Sequence, residues 1–205
     1  MGRARRGTTA DSYYRMAKEM GFRSRAAFKL RQLDERYGIM RKGDVVVDLG
    51  AAPGGWTQIA SRKVGPAGFV LAVDVQDMES LPGKNVAFIR GDIRDPSTFE
   101  LIRKTLPRNV DVVLSDLSPR ISGVWEVDHL RSIDLSRSAL SCAGALLRPG
   151  GNFVVKVFQG KEFNDFISKV RDMFEFVKAS KPAASRAGSA EIYVVAMGFR
   201  GAPSP

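Results

Sequence analysis

Cysteine, histidine and long apolar runs are scarce in this chain, and each shortage closes off a class of proteins. The lone cysteine, Cys142, cannot form an internal disulfide, so the fold must rest on a packed core. It lies within an apolar helical pattern and reads as a small buried hydrophobe in a reducing compartment, not as a nucleophile. The lone histidine, His129, has no Cys or His at ligand spacing, so no metal centre is expected and a structural or surface role is. No run of 18 apolar residues occurs, which leaves no membrane-spanning helix. The first twenty residues hold no apolar h-region, so no secretory signal is expected and the cytoplasm is the expected compartment.

The 205 residues suffice for one sizeable domain, and 44% hydrophobic with 26% charged residues is an ordinary globular balance. The net charge of +10 is not evenly spread. Residues 1–42 carry twelve Lys/Arg against Asp11, Glu19, Asp34 and Glu35, a net of +8, and leave only +2 for the rest. So concentrated a basic region suits a phosphate backbone; a solvated, solubilising tail is the alternative. Residues 1–10 are expected to form a basic flexible arm, 11–200 a single domain including the N-terminal helices, and 201–205 a tail. A monomer is expected.

The stretch that organises the chain runs from Val45-Val46-Val47-Asp48-Leu49 through Gly50-Ala51-Ala52-Pro53-Gly54-Gly55 to Trp56. Three β-branched residues predict a buried strand. Gly50 ends it, and Trp56, Ile59, Ala60 and Val64 then recur at helical spacing. Strand, Gly-rich turn and helix open a nucleotide-binding α/β unit. The dinucleotide pattern G-x-G-x-x-G is missing, which argues against a nicotinamide-dependent dehydrogenase. Pro53 has no N–H to offer a phosphate. A turn poor in donors, beside a strand-end Asp, suits an uncharged adenosine bearing an amino acid: S-adenosylmethionine (SAM).

In chain order, a helix is expected over about 11–20, then one capped by Ser24 and running through Tyr37 with Ala26, Leu30, Leu33 and Tyr37 as its apolar stripe. Lys29 lies at the edge of that stripe, where pattern alone does not single it out. Strands over 69–74, 86–90 and 110–116 end at or beside Asp74, Asp92 and Asp116. Asp74 stands 24 residues past Gly50, where an acid receives ribose hydroxyls; Asp92 could accept from an adenine amino group. Each could equally terminate its strand or cap a helix. Helices are expected over about 96–105 and from a cap at Asp128 to Arg148-Pro149-Gly150-Gly151. A strand over 153–158, a helix from Phe163 to Phe174, and strands over 176–179 and 192–199 complete the fold.

Strands alternating with helices imply a mostly parallel sheet, whose ligand lies beyond the strands' carboxyl ends. Asp74, Asp92, Asp116 and Lys156 share that edge. If the last two strands form an antiparallel hairpin, Glu191 returns to it. Lys156 is out of place among Phe153, Val154, Val155, Val157 and Phe158, since a buried amine needs a partner. These groups suit methyl transfer to a hydroxyl, which needs alignment and removal of a proton. A buried lysine near a second lysine can accept that proton, Asp116 can steady it, and Glu191 and Lys29 can orient a ribose. A structural ion-pair network is the alternative.

Four segments carry a resemblance: Asp48-Leu49-Gly50-Ala51-Ala52-Pro53-Gly54-Gly55-Trp56; Ser24-Arg25-Ala26-Ala27-Phe28-Lys29-Leu30; Gly151 to Gly160; and Ser185-Arg186 before Glu191. Together they closely resemble the FtsJ/RrmJ family of SAM-dependent RNA ribose 2′-O-methyltransferases, over about 11–200. The resemblance implies a Rossmann-like class I methyltransferase fold, with a seven-stranded mostly parallel sheet, one antiparallel strand and helices on both faces. It implies a catalytic tetrad at Lys29, Asp116, Lys156 and Glu191, with Lys156 as base, and SAM contacts at Gly54, Trp56, Asp74, Asp92 and Asp116. The implied substrate is a uridine of large-subunit ribosomal RNA. A tRNA anticodon-loop ribose and a non-catalytic RNA-binding assembly factor are the alternatives. Arg120 departs from the family, whose bacterial members carry Asn in the loop after the catalytic Asp, and bears on how the target is gripped.

Overall fold

Val45–Leu49 (β1) is buried along its whole length, as three consecutive valines require. It forms the centre of a sheet with Phe69–Asp74 (β2), Val86–Arg90 (β3), Val110–Ser115 (β4), Leu147–Phe158 (β5), Phe174–Ser180 (β6) and Glu191–Phe199 (β7). The order is β3-β2-β1-β4-β5-β7-β6. The pairings from β3 to β5 are parallel, and β7 runs antiparallel to both its neighbours, β5 and β6. The computed structural model describes residues 9–186 and 188–201.

The helices are Thr9–Glu19 (α1), Ala26–Tyr37 (α2), Gly55–Val64 (α3), Pro96–Thr105 (α4), Trp125–Leu146 (α5) and Phe163–Met173 (α6). Strand side chains alternate between two cores, as period-two geometry demands. On one face Val46, Val70, Val112, Leu114 and Val154 pack against Leu30, Leu33, Trp56, Ala60 and Val64 of α2 and α3. On the other, Val47, Leu71, Val113, Phe153 and Val155 meet Ile102, Ile133, Ala143, Phe166 and Val170 of α4, α5 and α6. The sheet is thus covered on both sides by elements that leave its carboxyl edge open.

At the opposite, amino edge, Asp111 ties the strands together: it accepts from Val45 N at 2.7 Å and from the guanidinium groups of Arg108 and Arg148. Burial alone would raise the pKa of Asp111, but those partners outweigh it and hold the carboxyl below its ordinary value.

Several boundaries differ from expectation. Ser24 does not cap α2: Arg25 occupies that position in helical geometry without a side-chain cap bond, because the turn from Ser24 O to Ala27 N already continues the helix. Asp128 lies one turn inside α5, which starts at Trp125, and reaches back to accept from Ser122 N, Ser122 Oγ and Gly123 N. β5 begins at Leu147, which pairs with Val110, so the Pro149-Gly150-Gly151 segment lies inside the strand rather than ending a helix. Phe174 belongs to β6, not to the preceding helix. α1 starts at Thr9, inside the stretch read as an arm; residues 1–8, with Arg3, Arg5 and Arg6, lie outside the described residues. The tail beyond Gly201 lies outside them too. Among the described residues no helix is long and apolar enough to cross a membrane.

Candidate active site

The antiparallel return of β7 sets Glu191 opposite Phe158 and Tyr193 opposite Lys156 on β5. β4 ends at Ser115, and the next backbone N–H, that of Asp116, donates to Leu49 O at 3.0 Å, which carries Asp116 to the same edge. Lys29 arrives from α2, whose apolar stripe is pressed on the sheet. Four charged groups separated by up to 162 positions in sequence therefore meet.

Lys156 Nζ donates to the Asp116 carbonyl oxygen at 2.9 Å and stands 3.2 Å from Asp116 Oδ1 and 3.9 Å from Glu191 Oε1. Lys29 Nζ donates to Glu191 Oε2 at 3.0 Å and to Tyr193 Oη at 3.1 Å. Tyr193 Oη in turn donates to Asp116 Oδ1 at 2.9 Å. The result is a closed ring of two amines, two carboxylates and a phenol. Both lysines are only 5% exposed. Burial pulls the Glu191 carboxyl upward, but the charges of Lys156 and Lys29, with hydrogen bonds from Lys29 and Ser189, more than reverse it and keep Glu191 ionised below the usual range. Burial, then the charges of Asp116 and Glu191, push the Tyr193 hydroxyl well above its ordinary pKa, so it stays a neutral donor.

Sequence reasoning missed Tyr193. A signal was present: two residues past Glu191, it faces the same side of β7 and therefore the same partners. Asp48, the strand-end acid beside the turn that the sequence reads as favouring an adenosine, is closed to a ligand. It is completely buried, accepts from Thr57 Oγ1 at 2.6 Å, and leaves its Oδ1 without a partner. Burial, aided by the negative charges of Asp116 and Asp74 and opposed by the Thr57 hydrogen bonds, raises its pKa to about 7.

The Gly-rich turn borders this ring. Gly50 has φ of +79°, and a Cβ there would fall 2.9 Å from Leu117 N, so only glycine lets the turn pass under the loop after β4. Gly54 caps α3 with φ of +110°. Asp74 accepts from Ala52 N at 2.9 Å and from Gln76 N at 2.8 Å, fixing a carboxylate whose remaining lone pairs face a cavity of about 810 Å³. Asp92 lines that cavity as well, but Arg94 forks onto both its oxygens at 2.6 to 3.2 Å, and that contact holds its pKa down. Arg23, which no motif singled out, clasps the turn from outside by donating to Pro53 O, Glu79 O and Ser80 O.

Trp56 differs from the other cofactor-binding candidates. Its indole is buried, donates to Ala26 O at 2.8 Å and packs 5.6 Å from the Tyr193 ring. What remains for a ligand is its backbone N–H, in the first turn of α3 where such groups lack helical partners. These features fit a cofactor with an adenosine and an amino acid: a glycine cradle, a fixed carboxylate for ribose hydroxyls, and a helix N-terminus for a carboxylate.

His129 is buried, and its Nε2 accepts from Glu162 N at 3.1 Å, a structural contact. Cys142 is buried, and its thiol pKa is pushed up to about 12 by burial. Among the described residues no group of three or more His, Cys, Asp or Glu could hold a metal ion. A second cavity, about 600 Å³ between α5 and α6, contains none of the residues singled out from sequence. Arg120 is exposed on the loop after Asp116 and borders the large cavity.

A family model described as FtsJ-like methyltransferase matches residues 22–199. A ribosomal RNA large subunit methyltransferase E from Methanosarcina acetivorans is 54% identical over 194 residues, 94% of this chain and 70% of the relative. Its namesake from Archaeoglobus fulgidus is 52% identical over 190 residues, 93% of this chain and 96% of the relative. A solved structure from Plasmodium falciparum, described as a ribosomal RNA methyltransferase, superposes with a TM-score of 0.78 at 30% identity, covering 88% of this chain and 100% of that one. A Streptococcus mutans protein crystallised with SAH reaches a TM-score of 0.51 at 17% identity, over 79% of this chain and 90% of that one, a likeness of fold alone.

Proposed function

The chain belongs to the FtsJ-like methyltransferase family, and from that premise we propose that it transfers a methyl group from SAM to a ribose 2′-hydroxyl of RNA, that of a uridine in the large ribosomal subunit. The observation that carries this reading is the closed ring of Lys29, Asp116, Lys156, Glu191 and Tyr193 beside a glycine turn shaped for a nucleoside.

Gly54, the first-turn N–H of Trp56, the Asp74 carboxylate and the lone pairs that Arg94 leaves on Asp92 would hold SAM, with Asp116 at the boundary of the two halves of the site. Bound SAM supplies an electrophilic methyl, so the protein's tasks are alignment and proton removal. In its neutral amine form, Lys156 Nζ takes the proton of the 2′-hydroxyl as that oxygen bonds to the methyl carbon, and becomes the ammonium. The Asp116 carbonyl fixes the direction of that amine, and the Asp116 carboxylate favours the ammonium that forms. Lys29 opposes excess negative charge, and Tyr193 transmits its hydrogen bond to Asp116, which holds the carboxylate in one rotamer. Glu191 bridges the two lysines and keeps them apart. We place the reaction in the cytoplasm, with the enzyme acting as a monomer; sedimentation at working concentration checks the latter.

Lys156→Ala should lower methyl transfer by at least about 10²-fold, the usual contribution of a positioned base, while SAM affinity stays within a few-fold. Near-native turnover by that variant would dismiss the lysine base. Mapping 2′-O-methylated positions in ribosomal RNA from cells with and without the protein tests the substrate. Loss of one large-subunit uridine modification is expected, and loss confined to tRNA would move the assignment there.

A further inference from the structure

The loop that leaves Asp116 leads directly into an exposed aromatic residue. Trp125, the first residue of α5, is 45% exposed although its ring is held rigidly. It stacks on Phe158 with centroids 6.0 Å apart and planes at 8°, and on His129 at 6.0 Å and 20°. Phe158 is the cross-strand partner of Glu191 and follows Lys156 by two residues, so the stacked aromatics are continuous with the lysine–carboxylate ring. Gly160 leaves room for this support: a Cβ there would fall 2.7 Å from the His129 ring.

The loop before Trp125 and the first turns of α5 expose further apolar side chains. Ile121 is 61% exposed, Val124 53% and Leu130 51%. Two cations lie on the same loop and helix, Arg120 and Arg131, joined by a hydrogen bond from Arg131 Nη1 to Arg120 O at 3.2 Å, and both line the large cavity. A fixed, half-open indole at the start of the helix that carries Arg131, next to a ribose-modifying centre, matches an unpaired base with its phosphates nearby, since every base offers a π-face and stacking needs no hydrogen-bond code.

We infer that Trp125 is a stacking platform for an unpaired RNA base beside the acceptor ribose, with Arg120 and Arg131 receiving the adjoining phosphates. The inference rests on the RNA substrate proposed above. It assigns Trp125 a positioning role: the residue sets where the nucleotide lies and leaves the proton transfer to Lys156. It also gives a role to Arg120, which lines the large cavity.

The test uses the full-length enzyme, large ribosomal subunits lacking the modification, and a single-stranded RNA containing 2-aminopurine. Wild-type enzyme should quench 2-aminopurine on binding; W125A should abolish the quench and W125F should restore most of it. With ribosomal subunits, W125A should raise the apparent KM for RNA about tenfold, the weight of one base–aromatic stack, and W125F should recover most of that loss. SAM affinity should be unchanged in both, and W125A, which loses the stacks on Phe158 and His129, should lower Tm by a few degrees while staying folded at the assay temperature. An unaltered KM in W125A, no quench with wild type, or a loss that tracks SAM affinity would overturn the platform while leaving wild-type methyl transfer intact. Failure of the wild-type enzyme to methylate the subunits would remove the substrate assignment and the platform with it.

Discussion

Two acids near the carboxyl edge of the sheet respond to their surroundings in opposite directions. Glu191 is surrounded by cations and stays charged; Asp48 faces only Thr57 and other acids, and holds its proton to about pH 7. For Asp48 the consequence for stability has a definite sign. The unfolded carboxyl ionises near 3.8 and the folded one near 7, so between those values the native state binds the extra proton. Its contribution therefore declines as pH rises through that window and is level above it. Asp48→Asn lacks this titration. Relative to wild type, the variant should gain stability between pH 5 and pH 8, by an amount on the order of a few kcal/mol. Urea melts at the two pH values measure it, and parallel profiles for the two proteins would show that Asp48 is not held neutral. Glu191 acts at the other end: its stabilising ion pairs persist above the ordinary carboxyl range and are lost as pH falls through its depressed pKa.

Elements carry the site because α2 and α3 are locked together. A Cβ on Gly55 would overlap Ser24 Oγ, so a side chain there must displace the Ser24 hydroxyl from its place between the two helices. Its φ needs no glycine; the close approach favours one. Gly55→Ala should drive the Ser24 hydroxyl into another rotamer at the start of the helix that carries Lys29, costing about 1 kcal/mol. Turnover is expected to fall by no more than a few-fold. Combining it with Ser24→Gly should recover most of both losses, and a double variant no better than Gly55→Ala would place the strain elsewhere. Pattern reasoning located both helices but misplaced the cap at Ser24, because a hydroxyl before a helix looks the same whether it bonds the backbone or fills a gap between helices.

Across the whole molecule, charge and topology divide the labour. The net +8 of residues 1–42 lies on the chain that enters beside the active site through α2, and the remainder is nearly neutral. Removing residues 1–8 deletes Arg3, Arg5 and Arg6. If all three meet phosphate, the log–log salt dependence of RNA affinity should flatten by roughly 2 to 3, with SAM affinity unchanged. Filter binding at several salt concentrations reads this, and an unaltered slope would leave those arginines without a phosphate role.

Local signals in the sequence were enough for the central strand, the glycine turn, the alternation of strands and helices, and the edge shared by Asp74, Asp92, Asp116 and Lys156. Each of these depends on periodicity or on a residue type that only one backbone shape tolerates. The resemblance of four short segments extended this to Lys29 and Glu191. Tertiary structure alone decided that Tyr193 closes the ring, that Trp56 points into the core, that Arg94 occupies Asp92, and that Trp125 stands open beside Phe158. Those outcomes depend on strand register and on which face of each helix meets the sheet. Such contacts join residues far apart in the chain, and no local pattern encodes a distance across a fold.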